Sequence, residues 1–217
     1  MAAEAVPPHE SRGGVSITWP VVGHQRVINA ACSDAENVDV DAKAPLARCG
    51  YCPLRDRPFV AGYGPPMTNR VIVGQAPGQR EVVEGKPFVG QSGGRLNEAL
   101  SAAGVDRLAV YITNTVLCHP EGNDEPPPEA VEACHERLIT EIRLRMPKKV
   151  LALGTTAATA LTNDTRPIEK LRLLRPTPSP HLDDKSEVRV TYHPSALTRN
   201  PEWPGRFDGD VEWLGEP

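Results

Sequence analysis

No stretch of this chain is apolar for long enough to span a membrane, and its N-terminus lacks the basic-then-apolar order of a secretory leader. Both absences predict a cytoplasmic protein with no membrane partner. Excess positive charge is missing too: 24 Lys and Arg stand against 28 Asp and Glu, a formal net charge of −4. That balance argues against a protein that coats nucleic acid non-specifically, but leaves room for a local basic groove. Aromatic residues make up only 5% of the chain, within a hydrophobic content of 39% that is ordinary for a soluble protein. Also absent is the double C-x-x-C pattern that structural zinc usually takes.

What is present is enough chain for one domain and an extension. At 217 residues the protein can bury a substantial core without crosslinks. Its 23 prolines and 18 glycines predict unusually long loops. Residues 1–45 show little periodicity and carry an acidic patch of Asp34, Glu36, Asp39 and Asp41, which reads as a partly disordered extension. Residues 46–217 read as the folded domain.

That domain is organised around Val71 to Gly90, VIVGQAPGQREVVEGKPFVG. Val71–Gly74 has the β-branched, continuously apolar character of a short buried strand. Pro77 and Gly78 then shape a loop of the kind that binds ligands at the carboxyl edge of an α/β sheet. Phe88, between Pro87 and Gly90, reads either as a stacking platform for a flat ligand or as a plug for the core beneath the loop. Further on, the pattern predicts a helix over 93–103, a strand over 110–117, a helix over 128–146, a strand over 150–153, a helix over 155–161 and a strand over 188–192. Residues 162–187 hold no clear element and carry Arg166, Lys170, Arg172 and Arg175, which suggests a functional loop. Alternation of this kind predicts an α/β fold, a three-layer αβα arrangement on a central, mostly parallel four-stranded sheet. Strand ends at Gly74, Asn114, Gly154 and His193 then share one edge, so Gln75, Asn114 and His193 should converge with Phe88 on one cleft.

Five cysteines in a reducing compartment read as a metal or cluster site sooner than as disulfides. Cys49 and Cys52 form a C-x-x-C, which alone fits zinc, an iron–sulfur cluster, a redox pair or chance. Cys118 and Cys134 are distant singles sixteen positions apart, a spacing commoner for a four-thiolate iron–sulfur cluster. The plain alternative is that both are small buried residues. Cys32 is the spare.

Taken together, GQAPGQREVVEGKPFVG, YITNTVLCHP, the four cysteines and TYHPSALTRNP resemble the uracil-DNA glycosylase superfamily, and most of all its family 4, which carries a four-iron cluster. The resemblance covers roughly residues 46–203. It implies a monomer that flips uracil out of single- or double-stranded DNA and hydrolyses the N-glycosidic bond. Phe88 would stack on the base, Asn114 would bond its pyrimidine edge, and His193 would face uracil O2 and stabilise the leaving anion. Gly74, Ala76 and Ser195 would complete the substrate contacts, and Leu197 would be the wedge that fills the vacated DNA stack. Glu81 matches an acidic position of the first motif and joins Gln75 and His193 among the implied catalytic residues. Cys49, Cys52, Cys118 and Cys134 would hold a [4Fe–4S] cluster.

One departure stands out. Where the family has an acid, this chain has Gln75 and then Ala76, neither of which accepts a proton. Glutamine can still orient a water; Glu81 and Glu84 are possible substitutes. The departure also favours a second reading, a uracil- or damage-binding protein with little turnover. A zinc deaminase, suggested by His119-Pro-Glu121, is set aside because the C-x-x-C precedes that motif.

Overall fold

The computed structural model describes residues 42–217. Most of the expected extension, with Cys32 and the acidic patch, lies outside the described residues. Ala44 and Ala47 are already buried, in a small cluster with Cys49 and Leu117, so the packed chain includes the last residues assigned to that extension.

Four strands form one all-parallel sheet: β1 (Arg70–Gly74), β2 (Tyr111–Asn114), β3 (Lys149–Leu153) and β4 (Glu187–Thr191), in the order β2-β1-β3-β4. Six helices connect and follow them: α1 (Gln79–Glu84), α2 (Gln91–Ala102), α3 (Pro128–Arg143), α4 (Thr155–Thr162), α5 (Ile168–Leu171) and α6 (Trp203–Gly215). Alternate residues of the apolar strands face opposite layers. Ile72, Ile112 and Leu151 pack with Leu96, Leu100, Phe207 and Trp213 from α2 and α6. Val71, Val73, Val150 and Val188 pack with Leu138, Ile142, Ala157 and Leu161 from α3 and α4. Both faces are covered, which is why β1 and β3 read as continuous apolar runs. This is the expected three-layer α/β architecture.

Two local expectations change. The strand predicted over 110–117 pairs in the sheet only as far as Asn114. Beyond it the chain bends over the end of β1, where the Thr115 and Val116 amides donate to the Gly74 and Gln75 carbonyls at 2.8 and 3.1 Å. Leu117 and Cys118 then pair with Val60 and Phe59 instead. The 162–187 segment contains α5, and three of its four named cations pair with acidic side chains. Arg172 is buried and donates through Nε and Nη2 to Asp210 at 3.0 and 2.9 Å; Arg175 adds a bond at 2.6 Å and the Thr191 hydroxyl another at 2.7 Å. Arg166 pairs with Asp164 nearby. Arg172 and Arg175 therefore tie this segment to Asp210 on α6, which Thr191 joins to β4.

Candidate active site

Register sets the site. Gly74 lies beside Asn114 and Leu153 beside Thr191, so the carboxyl ends of the strands are level. They open into a cleft of about 840 Å³ whose walls include Gln75, Ala76, Glu81, Phe88, Asn114, His193 and Ser195. Gly74 itself sits behind that wall. A Cβ there would collide with Asn114 Oδ1 and the Phe88 ring, so only glycine lets these two side chains approach.

Phe88 is buried in the core under its loop and also lines the cleft. Its φ is 55°, in the left-handed region, which costs a non-glycine residue on the order of 1–3 kcal/mol. Glu81 holds that conformation. Its Oε1 accepts from the amides of Val89 and Gly90 at 3.1 and 2.9 Å. Gly93 supports it too, because a Cβ there would run into the Phe88 carbonyl. Glu81, expected among the catalytic groups, is thus placed as the clamp of the Phe88 loop.

Asn114 is 2% exposed, and its Oδ1 has no hydrogen-bond partner among the described residues. Its backbone, by contrast, is fixed. Arg137, 3% exposed, donates through Nη2 to the Asn114 and Thr115 carbonyls at 2.9 and 2.7 Å, and through Nη1 to Glu141 at 2.7 Å. The Thr115 hydroxyl also donates to the Gly74 carbonyl at 2.9 Å. A rigid main chain therefore carries an unsatisfied amide oxygen in the wall of an open cleft, and such a group favours a ligand that can donate to it.

Opposite stands His193, its ring centroid 6.0 Å from that of Phe88. The Ser195 backbone amide donates to His193 Nδ1 at 3.3 Å, and the Ser195 hydroxyl lies 2.8 Å from the same nitrogen. A backbone N–H can only donate, so Nδ1 is the acceptor and the neutral ring carries its proton on Nε2. Burial pushes the His193 pKa down to about 4, against a smaller upward pull from the Glu81 charge. At neutral pH His193 is an uncharged Nε2–H donor.

Gln75 lies with Oε1 3.3 Å from the Thr156 hydroxyl, which is 3.0 Å from Glu125 Oε1. Leu197 departs from expectation. It sits in the short 3₁₀ turn Pro194–Arg199, only 5% exposed, and packs into the core cluster shared by α2 and α6. The protein thus presents no protruding apolar finger at that position, because the turn folds the side chain inward.

The four cysteines Cys49, Cys52, Cys118 and Cys134 are all buried and none is in a disulfide. Cys52, Cys118 and Cys134 share one apolar cluster, while Cys49 packs with Leu117. Burial raises the Cys118 thiol to about 11, and the neighbouring Cys134, Cys52 and Cys49 contribute in the same direction while Lys43 opposes them. Lys43 points two donors at sulfur: its amide to Cys49 at 3.4 Å and its ammonium to Cys118 at 3.8 Å. Among the described residues no three such side chains converge as a single bound metal ion would need.

Three residues of this site escape the sequence reading: Arg137, Thr156 and Glu125. For Arg137 a signal exists, since it stands four residues before Glu141 on α3 and both are nearly buried. Thr156 and Glu125 carry no local signal, because only the fold brings them to Gln75.

Comparison with known proteins identifies the family. A family described as the Uracil DNA glycosylase superfamily matches residues 61–213. A Type-4 uracil-DNA glycosylase of Pyrobaculum aerophilum is 39% identical over 171 residues, 76% of this chain and 87% of that protein. Proteins of the same name from Archaeoglobus fulgidus and Thermotoga maritima are 32% and 37% identical, over 83% and 71% of this chain and 93% and 80% of their own lengths. The chain belongs to the uracil-DNA glycosylase superfamily.

Proposed function

We infer that this protein excises uracil from DNA by hydrolysing the N-glycosidic bond and leaving an abasic site. The observation that carries the reading is the unpartnered Asn114 amide, held beside the Phe88 ring and across from a neutral His193. An extruded uracil between these groups would stack on Phe88, and its N3–H would supply the donor that Asn114 Oδ1 lacks. Extrusion costs a few kcal/mol of stacking, which such contacts offset. As the bond breaks, negative charge grows on the base oxygens. A neutral Nε2–H donor aimed at that charge contributes typically about 10²–10³ in rate. Gln75 would hold the attacking water through its amide, since it cannot take a proton from it. Uracil-containing DNA, single- or double-stranded, is the partner, and the protein works as a monomer in the cytoplasm.

Cys49, Cys52, Cys118 and Cys134 would hold a [4Fe–4S] cluster. The donor chemistry suits it: four buried thiols, three of them in one apolar cluster, with Lys43 directing N–H groups at two of the sulfurs. Held by these four residues it would tie α3 and the chain beyond β2 to the 49–52 segment, while the excision chemistry stays with the cleft residues. Protein purified without oxygen should be yellow-brown with about four irons per chain. Colourless protein with stoichiometric zinc would overturn the assignment.

A second reading, uracil recognition with little turnover, is favoured by the same Gln75 and by Glu81 being engaged in the Phe88 loop. Incubation with uracil-containing oligonucleotides, followed by alkali to cleave abasic sites, separates the two. Strand breaks support excision; uracil-dependent binding without breaks supports the second reading.

A further inference from the structure

We propose that Thr156 and Glu125 are positioning residues that turn the Gln75 amide so that its carbonyl oxygen faces the cleft, where it holds the attacking water in place of the family's acid. The role for the water rests on the excision reading above; the orientation of the amide does not.

The inference follows from counting protons. The Thr156 hydroxyl has one hydrogen and lies between two oxygens, Gln75 Oε1 at 3.3 Å and Glu125 Oε1 at 3.0 Å. An ionised carboxylate accepts and cannot donate, and hydrogen bonds to charged acceptors are the stronger ones. The hydroxyl hydrogen therefore goes to Glu125. As placed, the Gln75 and Thr156 oxygens then face each other with no hydrogen between them. Exchanging the amide oxygen and nitrogen of Gln75, whose positions are set by hydrogen-bond logic in any case, removes the conflict. Nε2–H donates to Thr156 Oγ1, Thr156 donates to Glu125, and Gln75 Oε1 is left free.

Gln75 is a wall residue of the cleft, whereas Glu125 and Thr156 line a separate groove beside α3 and α4. Of the relay only Gln75 lines the cleft where the base would sit. Its carbonyl oxygen accepts one hydrogen of a water and fixes that water's lone pair, which suits a reaction driven mainly by departure of the leaving group. The anionic end of the relay lies in the neighbouring groove, outside the cleft. Position 75 thus has an acceptor without an acid, and a carboxylate from the 121–127 loop supplies its orientation.

The relay also explains why restoring the family acid at position 75 would be incomplete. With glutamate there, two carboxylates would compete for the single Thr156 hydrogen, and one would be left unbonded.

Two measurements test the proposal on the full chain. The first is independent of activity: the side-chain NH₂ resonances of Gln75, assigned by their loss in Gln75→Glu. One of the two hydrogens should be protected from exchange with solvent, and Thr156→Val should abolish that protection while Thr156→Ser retains it. A Gln75 NH₂ group that exchanges freely and ignores Thr156→Val would overturn the relay, whether or not the protein excises uracil. The second is single-turnover excision. Thr156→Val and Glu125→Gln should slow it, up to the order of 10²-fold expected for a misplaced reacting group, with DNA affinity unchanged. Thr156→Ser should restore the rate. If the wild type excises uracil and neither variant slows it, the assignment of the water to Gln75 is wrong. If the wild type excises nothing, the excision reading fails, and the exchange measurement still decides the relay.

Discussion

Two regions of this molecule look alike in sequence, and the fold separates them. Residues 75–90 and residues 162–187 are both long, polar, loop-rich connections that follow an apolar segment. In the second, Arg172 and Arg175 converge on Asp210, which is 1% exposed and also accepts from Thr191. These arginines are matched by an acceptor elsewhere in the protein. In the first, Asn114 and His193 are brought to Phe88 with Asn114 Oδ1 unmatched and the histidine uncharged. The comparison teaches that clustered charge is a poor mark of a binding site. A buried polar atom left without a partner, on a main chain that cannot move to find one, is the better mark.

The comparison breaks most visibly at Asp210. Asp210→Ala leaves two guanidinium groups without their acceptor, one of them buried, and should cost about 3–5 kcal/mol of stability, read from urea unfolding. Excision per folded molecule should change little. Asn114→Ala should do the reverse: little loss of stability, because its side-chain oxygen makes no bond in the protein, but a large loss of uracil excision. An Asp210 variant as stable as wild type, or an Asn114 variant that unfolds, would undo the contrast.

Next in size is the effect of acid. The folded His193 pKa, about 4, lies below its ordinary value near 6.5, so between the two the unfolded chain binds the extra proton. Stability should therefore fall as pH drops from about 6.5 towards 4, and be independent of this group above 6.5. His193→Gln should flatten that part of the profile, measured by urea unfolding at pH 7 and pH 5; an unchanged slope would mean that His193 is not buried in its neutral form. The smallest effect is expected at Arg175, whose side chain is 43% exposed. Arg175→Ala should cost under about 1 kcal/mol, as exposed ion pairs do. A loss matching Asp210→Ala would show that Arg172 is not the dominant partner.

Much of the fold was legible because parallel strands covered on both faces must be apolar throughout. Val71–Val73 and Val150–Leu153 announce themselves in that way, and strand order aside, their shared edge follows. The convergence of Gln75, Asn114, Phe88 and His193 was legible for the same reason. The inward turn of Leu197 was not, since a leucine in a motif looks the same whether it points to solvent or to α6. Nor was the fate of Arg172, whose partner lies thirty-eight residues away on another element. Glu81 shows a third kind of limit. Its acidic character suits catalysis and loop clamping equally, and only the Val89 and Gly90 amides decide where the carboxylate is engaged.

The central claim is that Asn114, Phe88 and a neutral His193 form a site that breaks the bond to uracil. It is tested most directly by single-turnover cleavage of a uracil-containing oligonucleotide, developed with alkali, for wild type and His193→Ala at pH 7. The account predicts abasic sites with the wild type and a rate lower by about 10²–10³ in the variant, at unchanged DNA affinity. Equal rates for the two proteins, or uracil-dependent binding without any cleavage by the wild type, would contradict it.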